Sequence, residues 1–228
     1  MTSPLITLIT GAHGNMGRAL CSRFSEGAHH VIAVDAHPSA SPIAAAEAHA
    51  LDLGDAEASE TFVQSVVASH ARIDVAVLTV GGFAMGSIAE TSTADIAQQY
   101  KLNFETAYNV ARPVFLQMLK QGQGRLFLVG ARPALSAAGS KGMVAYGLAK
   151  SLIFRVAEMM NDEAKGTNVS VNVIVPSIID TPQNRAAMPD ADFAQWVTPE
   201  QIADIVAYHA SSNANALRES VIKVYGGA

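Results

Sequence analysis

Two hydrophobic periods take turns along this chain. Short runs rich in β-branched residues stand at 5–10 (LITLIT), 30–35 (HVIAVD), 73–80 (IDVAVLTV), 125–130 (RLFLVG), 169–175 (VSVNVIV) and 221–225 (VIKVY). Runs this short and this apolar read as buried strands. Between them apolar residues recur at helical spacing, over about 14–27, 56–70, 94–121, 144–160 and 199–210. A further short strand is expected near 50–53, and AAAEAHA (44–50) suits either a brief helix or the approach to that strand. PSASP (38–42) reads as a turn-rich link and SAAGSKG (136–142) as a loop. Alternation of strand and helix predicts an α/β fold, a doubly wound parallel sheet with helices on both faces and right-handed crossovers. No boundary or internal repeat divides residues 1–228, so one domain is expected.

The first strand runs directly into Gly11-Ala12-His13-Gly14-Asn15-Met16-Gly17 and then into the helical pattern RALCSRF. Strand, glycine turn and helix is the setting in which a glycine pattern becomes a phosphate site. Gly11 allows the tight turn, Gly14 lets the backbone approach a pyrophosphate, and Gly17 lets the helix pack on the strand. The helix start offers free N–H groups and the positive end of its dipole. Asp35 ends the second strand, about where an acid meets the adenine ribose hydroxyls. A bare structural turn would need no such acid, so the pattern favours a dinucleotide, with NAD(H) preferred over NADP(H).

Tyr146 and Lys150 stand four apart in VAYGLAKSLIF. On a helix, positions i and i+4 share a face, so phenol and ammonium can enter one cleft. A free phenol has a pKa of about 10, and a nearby positive charge lowers it. Such a phenol can exchange a proton with a substrate oxygen while hydride moves on the adjoining carbon. Taken alone this pair would be an accident of an amphipathic helix; the dinucleotide pattern upstream gives it something to serve.

Together these motifs resemble the short-chain dehydrogenase/reductase family, from Leu5 to Gly227 and in the family's order. The resemblance implies a Rossmann fold and a nicotinamide cofactor. It places Gly11, Gly14, Asn15, Met16 and Gly17 at the phosphates, with Asp35 at the ribose. Asp52 and Leu53 in LDLGD fall near the adenine, and Val80-Gly81-Gly82 at the end of the fourth strand, where most members carry Asn-Ala-Gly. Pro176, Ile179 and Thr181 in VPSIIDTP flank the nicotinamide. Tyr146 and Lys150 match the catalytic pair, with Lys150 also holding the nicotinamide ribose. Asn103 in KLNFETAYNVARP matches the asparagine that helps relay protons. Within the family, TVGGFAMG, LVGARPAL, KGMVAYGLAK and DTPQNRAAMPDADFAQW resemble the dihydropteridine reductases.

One departure bears on mechanism. The family usually places a serine at the end of the fifth strand, thirteen residues before the tyrosine, and LFLVGARPAL has none. An ungapped count reaches Pro133, and the strand end reaches Ala131. Dihydropteridine reductases also resemble this chain in lacking that serine. Ser136 and Ser140 lie downstream; Ser140 reads as an ordinary loop serine, while Ser136 stays open as a substitute. Phe83, Met85, Met188 and Trp196 suit a flat apolar pocket, although ordinary packing is expected of at least two of them. Residues 183–198 resemble the family's mobile lid. His13 lies inside the glycine turn, either against the cofactor or in solvent, and Arg18 reads as a helix-face charge.

Composition narrows the classes. The net charge is −5 with basic residues scattered, which gives no case for nucleic acid. The single cysteine, Cys21, excludes an intrachain disulfide, fits a reducing compartment and reads as core filler. Seven histidines show no metal-ligand spacing, so no metal site is expected. No run is long enough to cross a bilayer and the first residues lack a signal pattern, so a cytoplasmic protein is expected. The resemblance further implies a homodimer or homotetramer built through the long helix and the Tyr/Lys helix. The leading expectation is an NADH-dependent reductase of a small molecule, a quinonoid dihydropteridine or similar flat heterocycle. Two alternatives stand: an oxidoreductase for a small ketone, alcohol or sugar, and a non-catalytic NAD(H) sensor.

Overall fold

The structure, a computed structural model, describes residues 4–27, 29–37 and 42–227. The link expected at 38–42 lies almost wholly outside them. Seven strands form one parallel sheet in the order β3-β2-β1-β4-β5-β6-β7. They are β1 (Leu5–Thr10), β2 (His29–Asp35), β3 (Glu47–Ala50), β4 (Val75–Leu78), β5 (Gln123–Val129), β6 (Asn168–Pro176) and β7 (Val221–Val224). Among the described residues eight α-helices accompany them: α1 (Asn15–Ser25), α2 (Ala56–His70), α3 (Thr93–Tyr100), α4 (Thr106–Gln121), α5 (Arg132–Leu135), α6 (Val144–Glu163), α7 (Pro182–Ala187) and α8 (Pro199–Ala210).

The two faces of the sheet hold separate cores. On one, Leu8, Ile32 and Leu126 meet Val63 of α2, Val114 and Met118 of α4, and Ile153 of α6. On the other, Ile9, Ala33, Phe127 and Ile174 meet Leu20 and Phe24 of α1 and Ile202 and Val206 of α8. Phe24, Phe127, Leu8 and Ile9 are among the largest side chains fully out of solvent. Each is worth about 1.5–3 kcal/mol relative to exposure. Cys21 sits in the second core, fully buried, where its thiol is pushed up to about 11 by desolvation.

β1 pairs with β2 on one side and β4 on the other, so chain direction across the sheet reverses between β1 and β4. In open parallel sheets ligands bind beyond the carboxyl ends of the strands at such a reversal. Gly11, Asp35 and Thr79-Val80 stand just there.

Several element boundaries differ from expectation. The third strand lies at Glu47–Ala50 instead of 50–53. Asp52 closes a turn there, its Oδ1 accepting from Gly54 N at 2.9 Å, which takes 51–54 out of the sheet. AAAEAHA is therefore the approach to the strand together with the whole strand. The long helix is also broken: five residues, Lys101–Glu105, form a π turn between α3 and α4. Two short helices, α5 and α7, occupy segments to which the hydrophobic pattern assigns no element. Helix starts follow their caps. Asp55 accepts from Ala58 N for α2, and reciprocal Ser92/Asp95 and Thr198/Gln201 boxes open α3 and α8. Among the described residues no helix is long and apolar enough to cross a membrane.

Candidate active site

The glycine turn is built as its sequence demands. Gly11 takes φ +65°, a conformation that carries little cost only for glycine. A Cβ on Gly17 would fall 2.1 Å from the Gly11 carbonyl oxygen and 2.7 Å from Ala12 Cα. The turn and α1 thus touch backbone to backbone. Gly14 is the N-cap of α1 and no side chain caps that helix. Its first N–H groups therefore face the groove free. Gly11, Gly14, Asn15, Met16, Gly17, Asp35, Thr79, Val80, Gly81, Ile179 and Thr181 enclose a groove of about 340 Å³. A free helix start, a cradle that a side chain would fill, and an acid at one end fit a dinucleotide.

Asp35 is held from two sides. Its Oδ2 accepts from His13 N at 3.0 Å and its Oδ1 from His37 N at 3.1 Å. The His13 ring packs beside it with Nδ1 at 3.8 Å from Oδ2. His13 is therefore turned toward the acid, mostly out of solvent. Arg18 donates to the carbonyls of His13 and Pro42, so it braces the turn as well as lying on the helix face. Asp52 and Leu53 do not line the groove: Asp52 is an exposed turn residue, and buried Leu53 accepts from Asn109 Nδ2 through its carbonyl. Gly82 and Pro176 also lie off its lining.

At the other end of the groove the Tyr/Lys helix, the π turn and the loop after β4 converge. A Cβ on Gly81 would fall 2.7 Å from Asn103 Oδ1 and 3.1 Å from Lys150 Nζ. Asn103 is fully buried in the π turn. Its Oδ1 accepts from Gly82 N at 3.1 Å, while its Nδ2 donates to Gly82 O and to Gln99 Oε1, both at 2.9 Å. The side chain is thus a clamp on the β4 loop. Single π turns often occur at functional sites, where the extra residue re-aims a side chain.

Lys150 is buried and donates to the Val129 carbonyl at 2.9 Å. Burial lowers its ammonium to about 8. Tyr146 lies one turn earlier, its ring edge-on to Phe83 with centroids 5.1 Å apart. Burial raises its phenol to about 12. This corrects the expectation that Lys150 lowers the phenol. Here both groups are dehydrated and the ammonium is turned onto β5, so desolvation outweighs attraction. Burial holds the phenol protonated.

The remaining predicted positions divide. Phe83 and Met85 are 59% and 65% exposed, Phe83 lying beside Tyr146. The segment carrying them is strapped to the start of α6, Gly86 N donating to Gly142 O at 2.7 Å and Val144 N to Gly86 O at 3.1 Å. Met188 is half-buried at the end of α7. Trp196 is only 6% exposed and packs on Phe193, so its ring is core packing and not a pocket wall. Ser136 is exposed, with Oγ accepting from Ala138 N at 3.2 Å. Ser140 donates to the Ala137 carbonyl. Ala131 at the end of β5 is buried and carries no hydroxyl.

Ile179 is bridged to Val197, and its carbonyl accepts from Asn184 Nδ2. Thr181 caps α7 through Asn184 N. Asn15 Nδ2 donates to Gln183 Oε1 at 3.0 Å, joining α1 to α7 at the rim. Gln183 opens the lid-like segment, but nothing in its local pattern gives it a role of its own. A larger cleft of about 860 Å³ lies beyond that rim, between α1 and α7–α8. It is crossed by the Arg23–Asp204 and Arg185–Asp180 ion pairs and shares only Asn15 and Thr181 with the glycine groove. No glycine cradle lines it; the smaller groove has that cradle and is bordered through Gly81 by Asn103 and Lys150, so it is the candidate site.

Known proteins agree with this geometry. A family model for short chain dehydrogenase matches residues 5–192, and the chain belongs to that family. It is 24% identical over 239 residues to the 3-oxoacyl-(acyl-carrier-protein) reductase FabG of Thermotoga maritima, covering 97% of this chain and 96% of that protein. It is 28% identical over 238 residues to the meso-2,3-butanediol dehydrogenase of Serratia marcescens, covering 98% and 94%. A crystal structure of an oxidoreductase of the family from Burkholderia thailandensis superposes with a TM-score of 0.85 at 27% identity, covering 99% and 93%. The chain is thus an oxidoreductase with a Rossmann-like single domain, of a family that binds a nicotinamide cofactor. This sets aside the non-catalytic sensor.

Proposed function

We propose that this enzyme is an NAD(H)-dependent carbonyl or alcohol oxidoreductase in which Tyr146 exchanges a proton with the substrate oxygen. The observation that carries the reading is Lys150 Nζ beside Gly81, which lines the glycine-cradled groove, with Tyr146 one turn earlier on α6. The bound nicotinamide supplies or accepts the hydride. A phenol held protonated at neutral pH is an acid ready for the reductive direction. Lys150 is near enough to Gly81 to turn from the Val129 carbonyl toward a ribose hydroxyl. Asn103 positions the Gly81-Gly82 backbone, since its side chain is already committed there. The N–H groups of Asn15, Met16 and Gly17 hold the pyrophosphate, with Gly14 N tied to the Gly11 carbonyl, and Ile179 and Thr181 hold the carboxamide. Asp35 accepts from ribose hydroxyls and repels a 2′-phosphate, which favours NADH. Asp52, Leu53 and Pro176 have at most an outer role.

Phe83 and Met85 form the exposed apolar wall of the substrate side, and Met188 belongs to a lid over 183–198 that closes on the substrate. Relatives named for ketoacyl reduction and butanediol oxidation support a carbonyl or alcohol as the reacting group here. A second reading, reduction of a quinonoid dihydropteridine, is favoured by one observation. Ala131 offers no hydroxyl to a developing oxyanion, and a C=N centre has less need of one. Subunits pair through α3–α4 and α6, where Leu102, Tyr108, Leu116, Leu148, Leu152 and Met159 are 37–58% exposed.

A substrate panel tests the assignment by following NADH loss: a β-ketoacyl thioester, acetoin, a simple ketone and quinonoid dihydropterin, at matched concentrations. Faster turnover of a carbonyl supports the main reading, and pterin turnover alone replaces it with the second. Ser136→Ala should leave carbonyl turnover within about twofold, because its hydroxyl is tied locally in an exposed loop. A loss of about a hundredfold, typical of a missing oxyanion donor, would make Ser136 the substitute for the absent serine.

A further inference from the structure

Away from the groove, three imidazoles converge on one carboxylate. His30 Nε2 lies 2.6 Å and His70 Nε2 2.8 Å from Glu47 Oε1, while His49 Nε2 lies 3.2 Å from Glu47 Oε2. The four residues come from three elements: His30 from the start of β2, Glu47 and His49 from edge strand β3, and His70 from the last turn of α2. His30 stands near the amino end of β2, and Glu47 and His49 pair with Ile32 and Val34, whereas Asp35, which lines the groove, ends that strand; none of the four lines the groove. None of them has a part in the mechanism above.

We propose that His30, His70 and Glu47 form a binding site for a Zn²⁺-class divalent cation. The donor atoms of these three residues all lie within 4.8 Å of one another. Zinc bonds of about 2.0–2.2 Å set tetrahedral ligand atoms roughly 3.4 Å apart. The present hydrogen-bonded contacts are shorter than that, so small side-chain rotations would open them to the required spacing. Two imidazoles and one carboxylate suit zinc and exclude the oxygen-only preference of calcium and magnesium. Glu47 ligates through Oε1, and His49 holds the other oxygen, as outer partners commonly orient a ligating carboxylate. The fourth position faces water: His70, His30 and Glu47 side chains are 18%, 28% and 33% exposed. Such an ion ties α2 and the sheet's short edge strand to β2. It stabilises the fold without entering the reaction.

The strongest competing account is a hydrogen-bonded cluster that needs no ion. Isothermal titration of tag-free, chelator-stripped protein with Zn²⁺ at pH 7.5 separates the two, with visible absorption of the Co²⁺ form as a second readout. The expected result is one Zn²⁺ per chain at a dissociation constant of about 1 μM or tighter, and an intense tetrahedral Co²⁺ band. Binding should weaken at least tenfold by pH 5.5, because the imidazoles must be neutral to ligate. His30→Ala and His70→Ala should each weaken binding by more than about a hundredfold, and His49→Gln by about tenfold. Turnover with NADH should be unchanged in all three, since none of them lines the groove. Should His30→Ala fail to fold, His70→Gln at the exposed helix end reads the same site. Absence of saturable one-to-one binding to the parent protein would overturn the proposal. So would binding that survives in folded His70→Gln, because the ion would then sit elsewhere.

Discussion

Gly17→Ala isolates the close contact on which the dinucleotide groove depends. The added Cβ would stand 2.1 Å from the Gly11 carbonyl oxygen and 2.7 Å from Ala12 Cα. Both obstacles are backbone, so no side-chain rotation relieves them. The turn and α1 must separate by nearly an ångström. Overpacking of this kind costs about 1–3 kcal/mol, and a backbone obstacle belongs at the upper end. Alanine recovers up to about 1 kcal/mol of helix propensity relative to glycine. The net loss is about 2 kcal/mol, which for a domain of this size lowers Tm by about 4–8 °C. The same shift displaces the N–H groups at the start of α1, so NADH affinity should fall at least about tenfold. Thermal melts and a fluorescence titration with NADH measure the two effects. Gly122→Ala is the control: φ is +77° with open space around the Cβ, and it lies at the far end of α4. It should cost about 1–2 kcal/mol through backbone strain alone and leave NADH binding unchanged. If Gly17→Ala kept both the parent Tm and the parent affinity, the cradle argument would be wrong.

Three further outcomes follow from the site. Tyr146→Phe should lower turnover by about a hundredfold or more, as expected for a removed acid, with NADH binding within about twofold; full turnover would remove the phenol from the reaction. In steady-state kinetics NADH should be used more efficiently than NADPH, and Asp35→Ser should narrow that ratio; equal efficiencies in the parent enzyme would refute the role given to Asp35. Lys150 is lowered by burial to about 8 from an ordinary value near 10.5, so between those limits the unfolded chain binds more protons than the folded one. Its contribution to stability therefore rises with pH across that window, and Lys150→Met should flatten the rise in Tm between pH 8 and 10.

How much was legible in the sequence depended on whether a feature was local. LITLIT, the glycine turn and HVIAVD are contiguous, and each stands where its pattern places it. The third strand was misplaced because Glu47–Ala50 alternates half-buried with exposed residues at a sheet edge. It lacks the apolar run that marks a buried strand. The π turn carried no signal, since KLNFE contains neither glycine nor proline and keeps helical backbone angles on both sides. Trp196 was assigned to the pocket by its position in a lid-like segment, but its apolar surface is buried against Phe193. The histidine cluster was invisible for a different reason: His30, Glu47 and His70 are separated by long stretches of chain and meet only once β2, β3 and α2 are packed. The one available hint was Glu47 and His49, two apart on a strand and hence on one face.

The protonation of the pair bears on direction. Tyr146 is pushed up and Lys150 down by the same cause, removal of water, and the two shifts oppose the simple picture of an ammonium acidifying a phenol. Lys150 donates to the Val129 carbonyl, and burial keeps the phenol an acid at every pH near neutrality. Reduction needs that form, because the substrate oxygen must gain a proton as the carbon gains hydride. Oxidation of an alcohol needs the phenolate instead, and nothing in the present arrangement stabilises it. The Lys150 ammonium must leave Val129 and approach Tyr146 for that direction to run. Carbonyl reduction should therefore hold nearly level from pH 6 to 8, whereas alcohol oxidation should climb with pH. Initial rates in both directions on one substrate pair measure the contrast, and parallel profiles would show that burial does not set the proton inventory of this site.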